Sequence, residues 1–170
     1  MDLFLQQTLS GLATGAIYAS IALAVVMIYQ AIDHFNFAQG EMAMFSTFIA
    51  WQMLLWGFPF WLAFIACIVI SFLGGLAIER IVFGPIYDAP VLSHVIVFIA
   101  LFSIFNSLAG FIWEFTIKPF PSPFPSKMPF ETTLISMHEV GMILVTLLML
   151  GLIFVFFRFT PVGLAMRAAA

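Results

Sequence analysis

The chain has 170 residues, 64% of them apolar and only 8% charged, with a formal net charge of −3. So few charges cannot clothe a water-facing surface, since soluble domains carry about 25% charged residues, and hydrophobicity this high excludes a disordered chain. The small charge and the lack of any basic run also exclude a nucleic-acid partner, leaving an integral membrane protein of one domain over residues 1–170.

No Asp, Glu, Lys or Arg occurs over residues 3–32 or 42–78. Crossing about 30 Å of hydrocarbon takes about 20 mostly apolar residues. The first window predicts one transmembrane helix over 7–29. The second is too long for one helix and is broken at Gly57-Phe58-Pro59, which predicts a hairpin of helices over 41–56 and 60–82. Two further helices are expected over 91–113 and 140–157. The fold class is therefore all-α, with five transmembrane helices. Trp56, Trp61 and Trp113 fall at predicted helix ends, where an aromatic belt belongs.

Between the first two helices lie Asp33, His34, Asn36, Gln39, Gly40 and Glu41. The second helix is short unless it draws part of this polar segment into the membrane. Irregular backbone persists there only beside protein or a water-filled cavity, and broken elements of this kind build substrate sites in transporters. Asn36, Gln39 and Glu41 are the candidate path-lining residues, with a short solvated loop as the alternative.

Small residues recur every fourth position in two helices: Gly11, Gly15 and Ala19 in the first, and Ala63, Cys67, Ser71 and Gly75 in the third. This spacing lets helix backbones approach closely in lipid. In the fourth helix Ser103, Asn106, Ser107 and Gly110 share one face. Such a stripe serves as glue between helices or lines a path, which makes Ser103 and Asn106 candidates as well.

Residues 114–131 are of another kind, with prolines at 119, 121, 123 and 125. Alternating prolines force an extended course, predicting an external loop that docks a partner or caps the helix ends. The chain then runs to Phe159-Thr160-Pro161, where Thr160 and Pro161 can open a new helix carrying Arg167. With the N-terminus outside, Arg80, Arg158 and Arg167 lie inside and Lys118 and Lys127 outside, in the sense of the positive-inside rule. The start Met1-Asp2 has no basic region of the kind that precedes a cleaved signal.

The chain contains no HExxH, GxSxG or Walker-type motif. One histidine with two carboxylates, His34 with Asp33 and Glu41, is not a metal set, and Cys67 is the single cysteine. No catalytic residue, metal or cofactor is expected.

Read together, these residues resemble the permease subunits of branched-chain amino acid ABC transporters. The resemblance rests on Asn36-Phe-Ala-Gln-Gly-Glu41 after a Gly-rich first helix, on Glu79-Arg80 followed by Pro85, on the loop Phe120-Pro-Ser-Pro-Phe-Pro125, and on Thr160, Gly163 and Ala165-Met-Arg-Ala168. It departs from the family pattern at Gln39, where His is usual, and at Leu164, where a basic residue is common. The resemblance implies a multi-pass protein of a prokaryotic inner membrane, moving branched-chain amino acids by alternating access. Its implied partners are a second permease subunit, cytoplasmic ATPase subunits that hydrolyse the nucleotide, and an external substrate-binding protein. Arg158, Gly163 and Arg167 would then face the ATPase. The chain stops before the family's coupling helix is complete and is read as truncated there. A relative carrying urea or short amides, and a non-transporting fragment or assembly factor, are the alternatives.

Overall fold

In the computed structural model the described residues are 2–124, 136–161 and 163–164. Arg167, Lys127 and the rest of the Pro-rich stretch from residue 125 to 135 lie outside them. Five α-helices are present: α1 (Asp2–Ile32), α2 (Gln39–Leu55), α3 (Phe60–Ile78), α4 (Val91–Trp113) and α5 (Met137–Phe159). There is no strand among the described residues. Four stretches are long and apolar enough to cross a membrane: Leu3–Gln30, Phe60–Ile86, Val91–Trp113 and Met137–Phe159. The 17 residues of α2 fall short of that length.

Helix ends shift from expectation for local reasons. α5 starts at Met137 rather than 140 because Ser136 and Glu139 form a capping box. The Glu139 N–H donates to Ser136 Oγ at 3.2 Å, and Glu139 Oε2 accepts from the Ser136 N–H at 2.9 Å. α3 stops at Ile78, short of the expected 82, and continues as a π turn (Glu79–Phe83) and a 3₁₀ turn (Gly84–Ile86). Pro85 causes this: it has no N–H, and its ring would strike the carbonyl four residues back in a regular helix. Widening lets the Gly84 N–H reach the Glu79 carbonyl instead.

The chain forms two compact units. The first takes in α1 and α5. Their contact is polar at its centre. The Thr146 hydroxyl lies 2.9 Å from the Met142 carbonyl of its own helix and 3.5 Å from the Ala16 carbonyl of α1. The Ser20 hydroxyl is 3.3 Å from Thr146 Oγ1. Ala13, one turn away on the same face, is fully buried. Gly11, Gly15 and Ala19 lie on the exposed side of α1 in this unit, where a Cβ at either glycine would meet nothing within 4 Å. Helix 1 carries small residues on several faces, and the one with Ala13, Ala16 and Ser20 is the one that meets α5. Thr146→Val should therefore lower the midpoint of unfolding in a denaturing-detergent titration, by about 0.6 kcal/mol and at most about 1.7. An unchanged midpoint would assign the contact to packing alone.

The second unit holds α2, α3 and α4, with α2 in contact with both of the others. On α3 the predicted small-residue series is the covered face: Ala63 is buried, and Cys67, Ser71 and Gly75 are half-buried. Cys67 Sγ donates to the Ser46 carbonyl of α2 at 3.1 Å, which a larger side chain at that position would prevent. The flanking Leu62, Phe64, Ile68 and Phe72 are exposed, as befits side chains that meet acyl tails.

Candidate functional site

α2 and α4 run side by side in the same direction, and three contacts fix their register. Asn106 Nδ2 of α4 donates to Glu41 Oε2 of α2 at 3.2 Å. Seven residues further along each helix, Phe48 stacks on Trp113 with ring centroids 5.2 Å apart. The Trp113 indole N–H donates to Gln52 Oε1 at 3.0 Å. Phe45 packs edge-on against both Phe105 and Trp113.

This register places the start of α2 well inside the length of α4. Asn106 lies about 10 Å from the Trp113 end and about 22 Å from the Val91 end, at 1.5 Å per residue. The first half of α4 has no α2 beside it; residues 34–38 run there instead. At the far end of that stretch the His34 and His94 rings lie 4.9 Å apart. His94 also stacks on Phe83 of the π turn, which touches Phe98. Between these two contacts the backbone from His34 to Ala38 is non-helical, and it ends in a hydrogen-bonded turn over residues 36–39. The polar segment is thus a non-helical strip along the wall of a membrane-crossing helix, held at both ends by side chains.

Within the strip Asn36 supplies the turn that starts α2. Its Oδ1 accepts the Ala38 N–H at 3.0 Å, and its carbonyl accepts the Gln39 N–H at 3.2 Å. This is an Asx-type turn, which Asn favours because its side chain mimics backbone. Gln39 Oε1 is buried with no hydrogen-bond partner among the described residues. Ala38, the residue before the helix, provides no side-chain cap. The segment therefore presents the Glu41 carboxylate and the buried Gln39 carbonyl as acceptors, beside the Asn36 and Gln39 amides and the His34 ring, which also carry N–H donors.

The predicted path residues separate into two groups. Asn36, Gln39, Glu41 and Asn106 come together at the start of α2. Ser103 does not join them: it is exposed and its hydroxyl turns back to the Ile99 carbonyl at 3.2 Å. Three residues along a helix share a face only loosely, and the Glu41 bond draws Asn106 to the α2 side. The His34–His94 contact escaped the sequence reading. His94 lies 60 residues away in sequence and looks like an ordinary interfacial histidine; only the register of α4 reveals the pair.

Of the three residues expected at the ATPase face, Arg158 is exposed at the end of α5, its guanidinium 5.6 Å from the Phe154 ring centroid and 5.9 Å from that of Phe159. Gly163 is buried in the turn that follows, and Arg167 lies outside the described residues. Thr160 and Pro161 do open a helical turn: Thr160 Oγ1 accepts the Gly163 N–H at 3.1 Å, and the Thr160 carbonyl accepts the Leu164 N–H at 3.0 Å.

Residues 7–170 match the family described as branched-chain amino acid transport system / permease component. The chain is 29% identical to the high-affinity branched-chain amino acid transport system permease protein LivH of Salmonella typhimurium and to LivH of Escherichia coli K12. It is 28% identical to the corresponding permease protein BraD of Pseudomonas aeruginosa. Each alignment covers 98% of this chain and 59% of the relative, so the chain spans less than two thirds of their length. No solved structure matches the chain.

Proposed function

Because the chain belongs to the branched-chain amino acid transport permease family, we propose that it is a permease component that forms part of a translocation path for branched-chain amino acids. The observation that carries this reading is the non-helical polar strip of residues 34–38, lying beside half of a membrane-crossing helix and ending at the Glu41–Asn106 hydrogen bond. A chain that only needed to span lipid would satisfy its backbone with an unbroken helix. A broken element at that depth supplies polar groups to a solute and can repack as the path opens and closes.

In this reading α2 with its preceding strip counts as a fifth crossing, the N-terminus lies outside, and Arg80 and Arg158 lie on the inner side. A second permease subunit completes the path. ATPase subunits drive it from the cytoplasm, and an external binding protein delivers the solute. Glu41 and Gln39 are the groups that meet the donor end of the solute, its ammonium group in an amino acid. The same acceptors suit urea or a short amide, which carry N–H donors and no charge.

Uptake of labelled leucine and labelled urea by cells that depend on this permease separates the two. Leucine uptake that disappears on deletion is the expected result, and uptake of urea alone would defeat the amino-acid reading. Purification of the native-length protein should bring down an ATPase chain; repeated failure would count against transport altogether.

A further inference from the structure

α4 carries a polar flank beside the face that meets α2. At about 100° per residue, Gly110 lies between Asn106 and Ser107 around the helix, and Ser103 lies on the same side. Ser103 and Ser107 are exposed, while Asn106, at the edge of the flank, turns to Glu41. The last position of the flank is filled by the chain itself. Glu114 closes α4 with φ +64° and ψ 165°, backbone that residues with a side chain rarely adopt, and the chain doubles back. The Phe115 ring then takes the space that a side chain at Gly110 would fill, so only glycine there lets it lie against the helix.

The return is braced from beyond. Lys118 pairs with Glu114 at 3.9 Å, and the Trp51 indole N–H donates to the Pro119 carbonyl at 3.0 Å. Yet the ring is 79% exposed. It is held in place without being buried. The neighbours of the ring narrow what it meets. A second helix packs closely in lipid on small residues, and here the glycine notch is already filled. Side chains that meet acyl tails are large and apolar, as on α3, whereas this flank carries two serines. A solute site combines apolar surface with a few placed polar groups. The tip of the ring lies one turn beyond Asn106, about 6 Å along the helix toward Trp113. In leucine the ammonium nitrogen and the branched end stand about 5 Å apart.

We propose that Phe115 is a specificity-determining residue of the solute path, its ring packing on the aliphatic side chain of an amino acid whose ammonium group meets Glu41. This rests on the chain being a permease component for such amino acids. Urea and short amides have no branched end and gain nothing from the ring. Phe115 is therefore the part of the site that favours the amino acid over them, where Glu41 and Gln39 accept from either. The filled notch at Gly110 and the turn at Glu114 hold the ring ready, so the solute does not have to order it on arrival.

The test uses the permease assembled with its partner and ATPase subunits in membrane vesicles, carrying Cys67→Ser, whose hydroxyl can still donate to the Ser46 carbonyl. Phe115→Cys should react with a small hydrophilic thiol reagent. Leucine supplied during ATP-driven uptake should slow that reaction about fivefold or more, and urea should not. Ser107→Cys, a near-isosteric change on the same flank, should be modified and protected in the same way, and it decides the matter if Phe115→Cys fails to assemble. Adding Gly110→Ala to Ser107→Cys displaces the ring and should weaken the protection by leucine. Leu108→Cys, on another side of α4, should stay unreactive. No reaction at either reporter overturns the proposal, because lipid or protein then covers the flank. Reaction that leucine leaves unchanged overturns it too, as does full protection that survives Gly110→Ala or equal reaction at Leu108→Cys. Uptake by the unsubstituted protein tests the transport function separately. Uptake of urea alone removes that function and the proposal together, whereas leucine uptake without protection removes only the role of Phe115.

Discussion

Replacing Asn106 by leucine should destabilise the second unit by about 1.5 kcal/mol, roughly a tenfold change in the ratio of folded to unfolded protein. The Asn106 amide is the side-chain partner of Glu41 across the helix contact, and Glu41 is half-buried. Among the described residues the Lys and Arg side chains are Arg80 just past α3, Lys118 in the segment after α4, and Arg158 near the end of α5. None is placed to take over the carboxylate. Removing the amide therefore leaves an acceptor in apolar surroundings, and the cost is chiefly that of the group left behind. Glu41→Gln should be milder, since an amide can still accept from Asn106. The double substitution of both residues by leucine is the informative one. It removes the stranded group, so stability in a denaturing-detergent titration should return most of the way. Uptake should not return if Glu41 is the proposed acceptor for the solute, because that acceptor is gone. Recovery of uptake in the double variant would make the pair a structural link only.

What could be read from the sequence follows the physics of each element. Charge-free windows located all five helices, because desolvating a charge in lipid is costly enough to leave a plain mark on the sequence. On α3 the flanking positions are large and apolar and leave one narrow face of small residues, Ala63, Cys67, Ser71 and Gly75. On α1 the series Gly11, Gly15 and Ala19 competed with Ala13, Ala16 and Ser20, and only the position of Thr146 on α5, over a hundred residues away, decides between them. The start of α5 is encoded locally: Ser136-Met-His-Glu139 is a capping-box pattern, and a hydrophobic window alone puts the boundary too late. Asn36, Gln39 and Glu41 stood out because they are polar where a crossing helix needs length. The depth of that segment was not readable. It comes from the seven-residue match between Glu41–Asn106 and Phe48–Trp113, a register between helices that no local pattern encodes.

Gly163→Ala is expected to disrupt the end of α5 more than any other single methyl added to a glycine of the described helices. A Cβ at Gly163 would sit 2.5 Å from the Phe156 carbonyl oxygen and 2.6 Å from the Phe157 Cα. Both are backbone atoms, so no rotamer change can make room; at Gly110 and Gly141, by contrast, the obstacle is the ring of a phenylalanine side chain. The close approach exists because Thr160 folds the chain over the helix end. Its hydroxyl donates to the Phe156 carbonyl and accepts the Gly163 N–H, while Pro161 fixes the direction of the next turn. Alanine would gain about 1 kcal/mol of helix propensity over glycine in an open helix. Here overpacking against backbone costs about 1–3 kcal/mol, and the chain relieves it by swinging the segment after Thr160 away from α5. The helix itself, held to α1 through Thr146 well before this turn, should remain inserted. Trypsin should therefore cut faster after Arg158 in the Gly163→Ala protein, and ATP-driven uptake should fall while unfolding of the α1–α5 unit moves little. Thr160→Ser keeps the cap and should behave as the parent. Normal uptake together with an unchanged tryptic pattern in Gly163→Ala would separate this turn from any role in coupling.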